Sequence, residues 1–422
     1  MIQRPQYIKT LLSFKDSDLI KIVTGVRRCG KSTLLELYRN ELIARGVEEK
    51  QIQFIQLEAL ENEGLLEYHK LYEHIIERLV PHKQNYIFLD EIQTVPNFEK
   101  AVRSLYDKKT IDLYLTGSNS KLQSGQWATS IAGRYVEIKM YPLSFKEFVD
   151  TQPNEARSNL DKLYATYVSQ SAFPYTLSLT SEEQRRIYLE GIYETIVLKD
   201  VVENKGIRDV SRLKRLIRFM ASCIGSEISP KKISDTLQSE GHKIAPATIE
   251  YYLEALTECF IFYKADRFDV KGKKLLKTLN KYYFVDMGLR HLLLGNKGQD
   301  KGHILENIVY LELLRRGYKV SIGKNDLRDS LGSYKTVEID FVAENKDGVS
   351  YFQVAENVTS PETLQRELIP LKTIPDHCPK FILTRDYGTF DYEGIKQINV
   401  LDWLVGFSNN PYIDQDASNF DG

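Results

Sequence analysis

A glycine-framed octet near the N-terminus, Gly25-Val26-Arg27-Arg28-Cys29-Gly30-Lys31-Ser32, constrains this chain more than any other segment. The apolar run Leu19-Ile20-Lys21-Ile22-Val23 before it reads as a buried strand. Thr33-Leu34-Leu35-Glu36-Leu37-Tyr38 after it reads as the first turns of a helix. Strand, tight loop and helix in that order let the loop N–H groups and the helix N-terminus face one anionic group. The octet fits G-x-x-x-x-G-K-[ST] at every fixed position. Lys31 would then reach the terminal phosphates of a nucleotide, Ser32 would hold Mg²⁺, and Thr33 would complete the contact.

The remaining composition narrows the setting. At 422 residues the chain should hold two or three domains. A net charge of −1 provides no global field for nucleic acid or membrane, so any nucleic-acid contact needs a local basic patch. Cys29, Cys223, Cys259 and Cys378 stand singly, with no metal-ligand spacing, which points to a reducing cytoplasm. Met1-Ile2-Gln3-Arg4-Pro5 lacks the order of a signal peptide. No apolar run reaches the roughly 18 residues that span a bilayer. The stretch 409–422 reads as a polar tail.

Within residues 1–150, strand-like runs at Leu19–Thr24, Ile52–Leu57, Tyr86–Asp90, Leu113–Thr116 and Val136–Met140 alternate with helical runs at Lys31–Arg45, Tyr68–Leu79 and Phe98–Asp107. Short apolar strands in alternation with helices predict an α/β parallel sheet covered on both faces, with its ligand at the carboxyl ends of the strands. Tyr86-Ile87-Phe88-Leu89-Asp90-Glu91 is an apolar strand running into two acids. Asp90 would join Ser32 at Mg²⁺, and Glu91 would orient and polarise the attacking water. Leu113-Tyr114-Leu115-Thr116-Gly117-Ser118-Asn119-Ser120 has the same shape. Its Thr116, Ser118 or Asn119 could bond a γ-phosphate, although Thr-Gly-Ser-Asn is also a plain turn sequence. Arg134, before the last strand, is a candidate phosphate sensor or a surface charge.

Those motifs together with Pro142-Leu143-Ser144-Phe145-Lys146-Glu147-Phe148 resemble a large family of prokaryotic AAA-type ATPases that carry a C-terminal DUF4143 domain. The resemblance implies a five-stranded core with the phosphate-loop strand inside the sheet. It implies ATP as the nucleotide, Asp90 as the magnesium carboxylate, Glu91 as the base, and Ser118 or Asn119 as the sensor. It also matches a helix ending in Lys-Asp to Leu198-Lys199-Asp200.

Residues 151–290 read as a helical region with a winged-helix element: helices at Val210–Ile224, Ser229–Gln238 and Pro246–Thr257, then strands at Phe260–Phe268 and Tyr282–Val285. The segment Lys271–Lys281 between those strands carries five lysines and no acid, and reads as a basic loop able to track a phosphate backbone weakly. Glu250, Glu254 and Glu258 on the preceding helix would repel DNA. Residues 291–408 resemble the PD-(D/E)xK, restriction-endonuclease-like α/β fold. The resemblance matches Asp340 to the strand acid, Glu306 to the helix glutamate and Gln353-Val354-Ala355 to the E/Q-x-K triplet. Glu306, Asp340 and Gln353 could hold a second cation. Ala355 stands where the lysine belongs, and alanine neither stabilises developing charge nor assists proton transfer.

The expectation is therefore a cytoplasmic ATPase that binds ATP and Mg²⁺, with Lys31 and Glu91 as its catalytic pair. Its conformational switch would act on a protein or nucleic-acid partner, and no membrane is involved. The alternatives are an ATP-gated DNA nuclease and a nucleotide-dependent DNA- or protein-binding regulator without cleavage. Glu91 favours turnover and Ala355 disfavours cleavage.

Overall fold

The computed structural model describes residues 2–118, 131, 133–203, 205–270, 272, 274–295, 300–328 and 334–406. They divide into two compact units. Unit 1 is Met1–Pro142, Ile192–Gly206 and Glu258–Ile261, and unit 2 is Leu143–Gly191, Ile207–Thr257 and Phe262–Gly422.

Unit 1 runs α1 (Pro5–Ser13), β1 (Ile20–Thr24), α2 (Lys31–Ala44), β2 (Ile52–Gln56), α3 (Tyr68–Glu77), β3 (Asn85–Asp90), α4 (Phe98–Tyr106), β4 (Ile111–Gly117) and β5 (Tyr135–Lys139). It also contains a π-helical turn at Ile196–Glu203. The strands form one sheet in the order β2-β3-β4-β1-β5, every neighbouring pair parallel. All five strand expectations and all three helix expectations of this region fall on these elements, with ends shifted by a residue or two. Every residue of β1 and β3 is buried, as a sheet covered on both faces requires. The loop-bearing β1 lies between β4 and β5, inside the sheet. Lys21, in the middle of this apolar strand, pairs with Asp112 at 2.5 Å, both side chains being at most 1% exposed. Asp112 also accepts from the Tyr114 hydroxyl at 2.8 Å and from the Asp16 N–H at 2.9 Å, so the buried pair has its remaining valences satisfied.

Unit 2 contains α5 (Phe145–Asp150), α6 (Leu160–Gln170), α7 (Glu182–Thr195, whose last turn belongs to unit 1), α8 (Val210–Ser222), α9 (Pro230–Ser239), α10 (Pro246–Glu258), β6 (Phe262–Asp269), β7 (Lys274–Phe284), α11 (Met287–Leu294) and α12 (Lys301–Arg315). It continues with β8 (Lys319–Arg328), β9 (Tyr334–Asn345), β10 (Gly348–Ala355), α13 (Pro361–Lys372), β11 (Lys380–Thr384), β12 (Phe390–Tyr392), β13 (Ile395–Asn399) and α14 (Val400–Val405). The Pro-Leu-Ser-Phe-Lys-Glu segment starts α5 by a capping box, in which the Ser144 hydroxyl accepts the Glu147 N–H at 3.0 Å and the Glu147 carboxylate accepts the Ser144 N–H at 2.8 Å.

The strands of unit 2 form one mixed sheet of eight, in the order β12-β13-β11-β10-β9-β8-β6-β7. Two expectations change here. The helices α8, α9 and α10 and the hairpin β6–β7 follow in the expected order, but the hairpin is not a free wing. β6 pairs in parallel with β8 through Arg267–Asp269 and Ile322–Lys324, so the expected division at 290/291 cuts through a continuous sheet. The physical reason is the bare edge of a hairpin, whose unpaired N–H and C=O groups find a partner in β8. The second change concerns the lysine-rich segment read as a loop. From Lys274 onward it is strand β7, paired antiparallel to β6. Lysines suit an edge strand because their charge discourages further strand pairing. Lys271 and Lys273 lie outside the described residues.

The last of those lysines turns inward. Lys281 is 3% exposed and bonds Glu306 of α12 at 2.8 Å and Glu338 of β9 at 2.7 Å. The Tyr283 hydroxyl donates to the same Glu306 oxygen at 2.7 Å, and Lys324 of β8 pairs with Glu338 at 2.7 Å and Glu227 at 2.8 Å. Burial opposes the charges of Glu306 and Glu338, but Lys281 outweighs it and holds both carboxyls below their ordinary value. Replacing Lys281 with Met should cost about 3–5 kcal/mol at neutral pH, because it takes the lysine from the buried Glu306 carboxylate, whereas Glu338 keeps Lys324. Urea denaturation measures this loss. Because both folded-state values lie below 4.5, the contribution is present above that pH and lost as the pH falls through them. The gap between wild type and K281M should therefore narrow on acidification below about pH 4.5.

Candidate nucleotide-binding site

The parallel register brings the chemistry to one edge of the unit 1 sheet. Thr24 pairs with Gly117 on one side and with Lys139 on the other, and Leu89 pairs with Leu115. The ends of β1, β3 and β4 therefore coincide, and Gly25, Asp90–Glu91 and Ser118 leave the sheet together. Gly25 has φ 151°, and a β-carbon there would stand 2.1 Å from the Met140 carbonyl oxygen, so the turn out of β1 admits only glycine. Arg28 takes φ 67°, and Gly30 caps α2 in the left-handed conformation with φ 105°. The first N–H groups of α2 have no carbonyl partner within the helix, which suits this terminus to an anion. The loop is backed by Arg4, whose guanidinium donates to the Tyr141 carbonyl at 3.1 Å and the Cys29 carbonyl at 3.5 Å. The Cys29 thiol is fully buried and lies 3.6 Å from the Met140 carbonyl oxygen.

Lys31 folds back over its own loop. Its ammonium donates to the Gly25 carbonyl at 3.1 Å and the Val26 carbonyl at 3.4 Å, and pairs with Glu91 at 3.4 Å. Burial disfavours this charge, but Glu91 and other nearby anionic groups more than compensate, so its pKa is raised. Asp90 closes β3 and is 6% exposed. It accepts from the Thr116 hydroxyl at 2.5 Å, and burial raises its pKa against the opposing effect of the Thr116 and Ser32 hydroxyls. Thr116 in turn accepts the Glu91 N–H at 2.8 Å, so one hydroxyl ties both acids to β4. Glu91 itself is left-handed, with φ 54° and ψ 50°, an unusual conformation for a non-glycine residue and one that concentrates at functional sites. Gln93 donates to the second Glu91 oxygen. Burial pushes the Glu91 carboxyl up, Lys31 pulls it down, and the net direction is down.

A second set of charges surrounds Arg27. Its guanidinium grips Asp200 of the π-helical turn, Nε to Oδ2 at 3.1 Å and Nη2 to Oδ1 at 3.1 Å, and reaches Glu58 at 3.3 Å. Lys199 bonds Glu58 at 2.8 Å. The Ser118 hydroxyl is fully buried and lies 3.4 Å from Asp200, with Gln93 at 3.5 Å.

The structure therefore gathers Gly25, Val26, Arg27, Arg28, Cys29, Gly30, Lys31, Ser32, Thr33, Asp90, Glu91 and Ser118. Asn119 lies outside the described residues. Arg134 is not part of the site: its carbonyl accepts the Ile20 N–H at 2.9 Å at the start of β1, and its guanidinium lies 5.4 Å over the Tyr106 ring. A five-residue strand separates it from the loop, so phosphate sensing is out of its reach. Gln93 and Arg4 carry no sequence signal for their roles. Asp200 had one in the Lys-Asp helix ending, but nothing in the sequence joins it to Arg27.

Glu306, Asp340 and Gln353 stand together in unit 2, but as an internally bonded set. Gln353 accepts the Asp340 N–H at 2.7 Å and donates to Glu367 at 2.9 Å, Asp340 accepts the Val354 N–H at 2.8 Å, and Glu306 is held by Lys281. Burial drives the Asp340 carboxyl well above its ordinary range, with Glu306 adding to the effect. Among the described residues no group of three or more His, Cys, Asp and Glu side chains converges as a metal site, and Glu306, Asp340 and Gln353 are engaged with protein partners.

A five-stranded parallel sheet with a G-x-x-x-x-G-K-S loop at its carboxyl edge, faced by an Asp-Glu pair from a neighbouring strand, defines a phosphate-loop domain of the AAA class. Residues 17–149 match the family model described as "AAA domain", and residues 161–300 match one described as "Domain of unknown function (DUF8612)" rather than DUF4143. The chain belongs to one family with an "Uncharacterized protein" of Haemophilus influenzae, to which it is 40% identical over 409 residues, covering 96% of this chain and 99% of that one. "Uncharacterized protein MJ1544" of Methanocaldococcus jannaschii is 32% identical over 316 residues, 71% of this chain and 67% of that one. Among solved structures, the Aeropyrum pernix ORC1 protein in complex with DNA aligns at 12% identity over 69% of this chain and 92% of that one, with a TM-score of 0.32. A likeness of that depth assigns neither fold nor function. No helix among the described residues is long and apolar enough to cross a membrane.

Gly25→Ala should destabilise unit 1 by at least about 1–3 kcal/mol, the usual cost of a strained backbone conformation, with the contact against Met140 added. Differential scanning calorimetry checks it, and an unchanged transition would contradict the loop geometry.

Proposed function

We propose that this chain is a cytoplasmic ATPase that requires Mg²⁺ and whose cycle acts on a protein or nucleic-acid partner. The observation that carries the reading is the linked set Asp90–Thr116–Glu91–Lys31 at the strand ends, beside Ser32 in the first turn of α2. Ser32 and Asp90 present a hydroxyl and a carboxylate, the hard oxygen donors that Mg²⁺ prefers. The cation would neutralise phosphate charge there.

The side chains divide the remaining work. An ammonium has three donors, and those of Lys31 are directed at Gly25, Val26 and Glu91. A triphosphate competes for the same donors, so its arrival weakens the hold of Lys31 on Glu91. Glu91, ionised at neutral pH, then has an oxygen available to accept a proton from water while Gln93 keeps the other fixed. Lys31 offsets the negative charge of the γ-phosphoryl group. This is catalysis by positioning and electrostatics.

The restriction-endonuclease-like reading of unit 2 enters as a matter of fold and not of cleavage. Ala355 supplies no cation, and Lys281, which stands beside Glu306, is already neutralised by two carboxylates. Contact with DNA through the Lys271–Lys281 segment would not involve Lys281, which is internal.

Lys31→Ala should abolish measurable ATP affinity in isothermal titration calorimetry, and retained affinity would sink the assignment. Glu91→Gln should bind ATP near normally and turn over about 10²–10⁴-fold more slowly, the usual cost of losing a general base. A phosphate-release assay measures it. Purified protein should leave linear, circular and single-stranded DNA and RNA intact in Mg²⁺ or Mn²⁺, with or without ATP. Cleavage that is lost in Asp340→Ala and kept in Lys31→Ala would instead establish the nuclease reading.

A further inference from the structure

The grip of Asp200 on Arg27 is not required by anything in the nucleotide-binding pattern. Arg27 occupies a variable position of the loop, yet it makes a two-pronged contact with a carboxylate whose side chain is 3% exposed. Such forked pairs fix geometry as well as charge. Burial works against the Arg27 charge, but the bonds to Asp200 and Glu58 reverse it and raise its pKa. Asp200 sits in a π-helical turn, a rare form that recurs at functional sites. Its backbone carbonyl accepts from the Cys259 thiol at 2.9 Å, a weak donor and so a soft tether on the turn. A chain of polar contacts also joins this grip to the acid placed opposite water. Glu91 is bonded by Gln93, Gln93 reaches Ser118, Ser118 reaches Asp200, and Asp200 holds Arg27.

We infer that Arg27 is the residue that tells a nucleoside triphosphate from a diphosphate, and that Asp200 is its positioning residue, competing with the γ-phosphate for the guanidinium. The inference rests on the ATPase reading above. Arg27 leaves the loop between Gly25 and Gly30, the stretch that faces the terminal phosphates when Lys31 does. A γ-phosphate offers the same fork of oxygens as a carboxylate, and it carries more charge. When Arg27 turns to it, Asp200 loses the partner that offsets its burial, and a buried carboxylate without a cation is costly. The turn Ile196–Glu203 then relaxes, carrying Lys199 away from Glu58. A diphosphate lacks the competing group, so Arg27 stays on Asp200. The loop thus reads the third phosphate, and the π-helical turn reports it.

The test uses the full chain and compares a non-hydrolysable ATP analogue with ADP, each with Mg²⁺. In calorimetry, Arg27→Ala should weaken the triphosphate analogue about 10–100-fold, the worth of a charge-assisted pair, while changing ADP affinity by less than about threefold. Asp200→Asn, which keeps the shape and removes the charge, should shift the ratio the other way and favour the triphosphate by about tenfold. If either variant changes both affinities in parallel, the pair is merely structural and the inference falls. A measurement on the wild type needs no variant to fold. Hydrogen–deuterium exchange of 196–203 should be faster with the triphosphate analogue than with ADP, and equal exchange would overturn the inference. Failure of the wild type to bind either nucleotide would overturn the ATPase reading and this one with it. Binding of both with an unchanged ratio in the variants overturns this one alone.

Discussion

The parallel register of β1, β3 and β4 decides where every charged group of unit 1 can stand. Parallel strands end on the same side, and each of these three runs there into a segment of the site: Thr24 into the Gly25 loop, Asp90 into Glu91, and Gly117 into Ser118. The Thr116 hydroxyl converts that alignment into geometry, because it bonds the Asp90 carboxylate and the Glu91 N–H at once. A slip of one residue between β3 and β4 would turn Thr116 to the other face and release both acids.

Buried charge follows one rule throughout the chain and has two outcomes. Lys21–Asp112 and Lys281–Glu306 are closed sets, with each carboxylate also bonded by a tyrosine hydroxyl. Lys31–Glu91 and Arg27–Asp200 are contacts of the same chemical type placed at the mouth of the phosphate loop. There an incoming anion competes for the cation, and the carboxylate it displaces bears the cost. On the proposed reading, the same physics that holds the first two sets together makes the second two exchangeable, and position distinguishes them.

Unit 2 shows how a sheet edge reorganises what composition suggests. Five lysines without an acid between Lys271 and Lys281 describe a solvated loop, yet the backbone from Lys274 pairs along β6, and Lys281 ends inside a carboxylate cluster. Alternation alone does not announce this, because the partners of Lys281 lie 25 residues away in Glu306 and further still in Glu338. The hairpin joins β8 for the reason any edge strand finds a neighbour, and it removes the boundary that the helix-then-hairpin order suggested.

The octet, the apolar strands and the Asp-Glu pair determined the class of unit 1, its element order and its principal site. These features are local: short-range stereochemistry restricts which residues can make a strand, a glycine turn or a helix start, and their order along the chain then fixes how a parallel sheet can be wound. Tertiary structure alone decided the partners. Arg27 meets Asp200 across 173 positions, Glu91 meets its Thr116 support across 25, and Arg134 is excluded because parallel pairing places it at the opposite end of β1. Ionic and hydrogen-bonded contacts depend on distance in space, and one sequence, however strong its local patterns, carries no term for which distant charges the winding of the sheets will bring together.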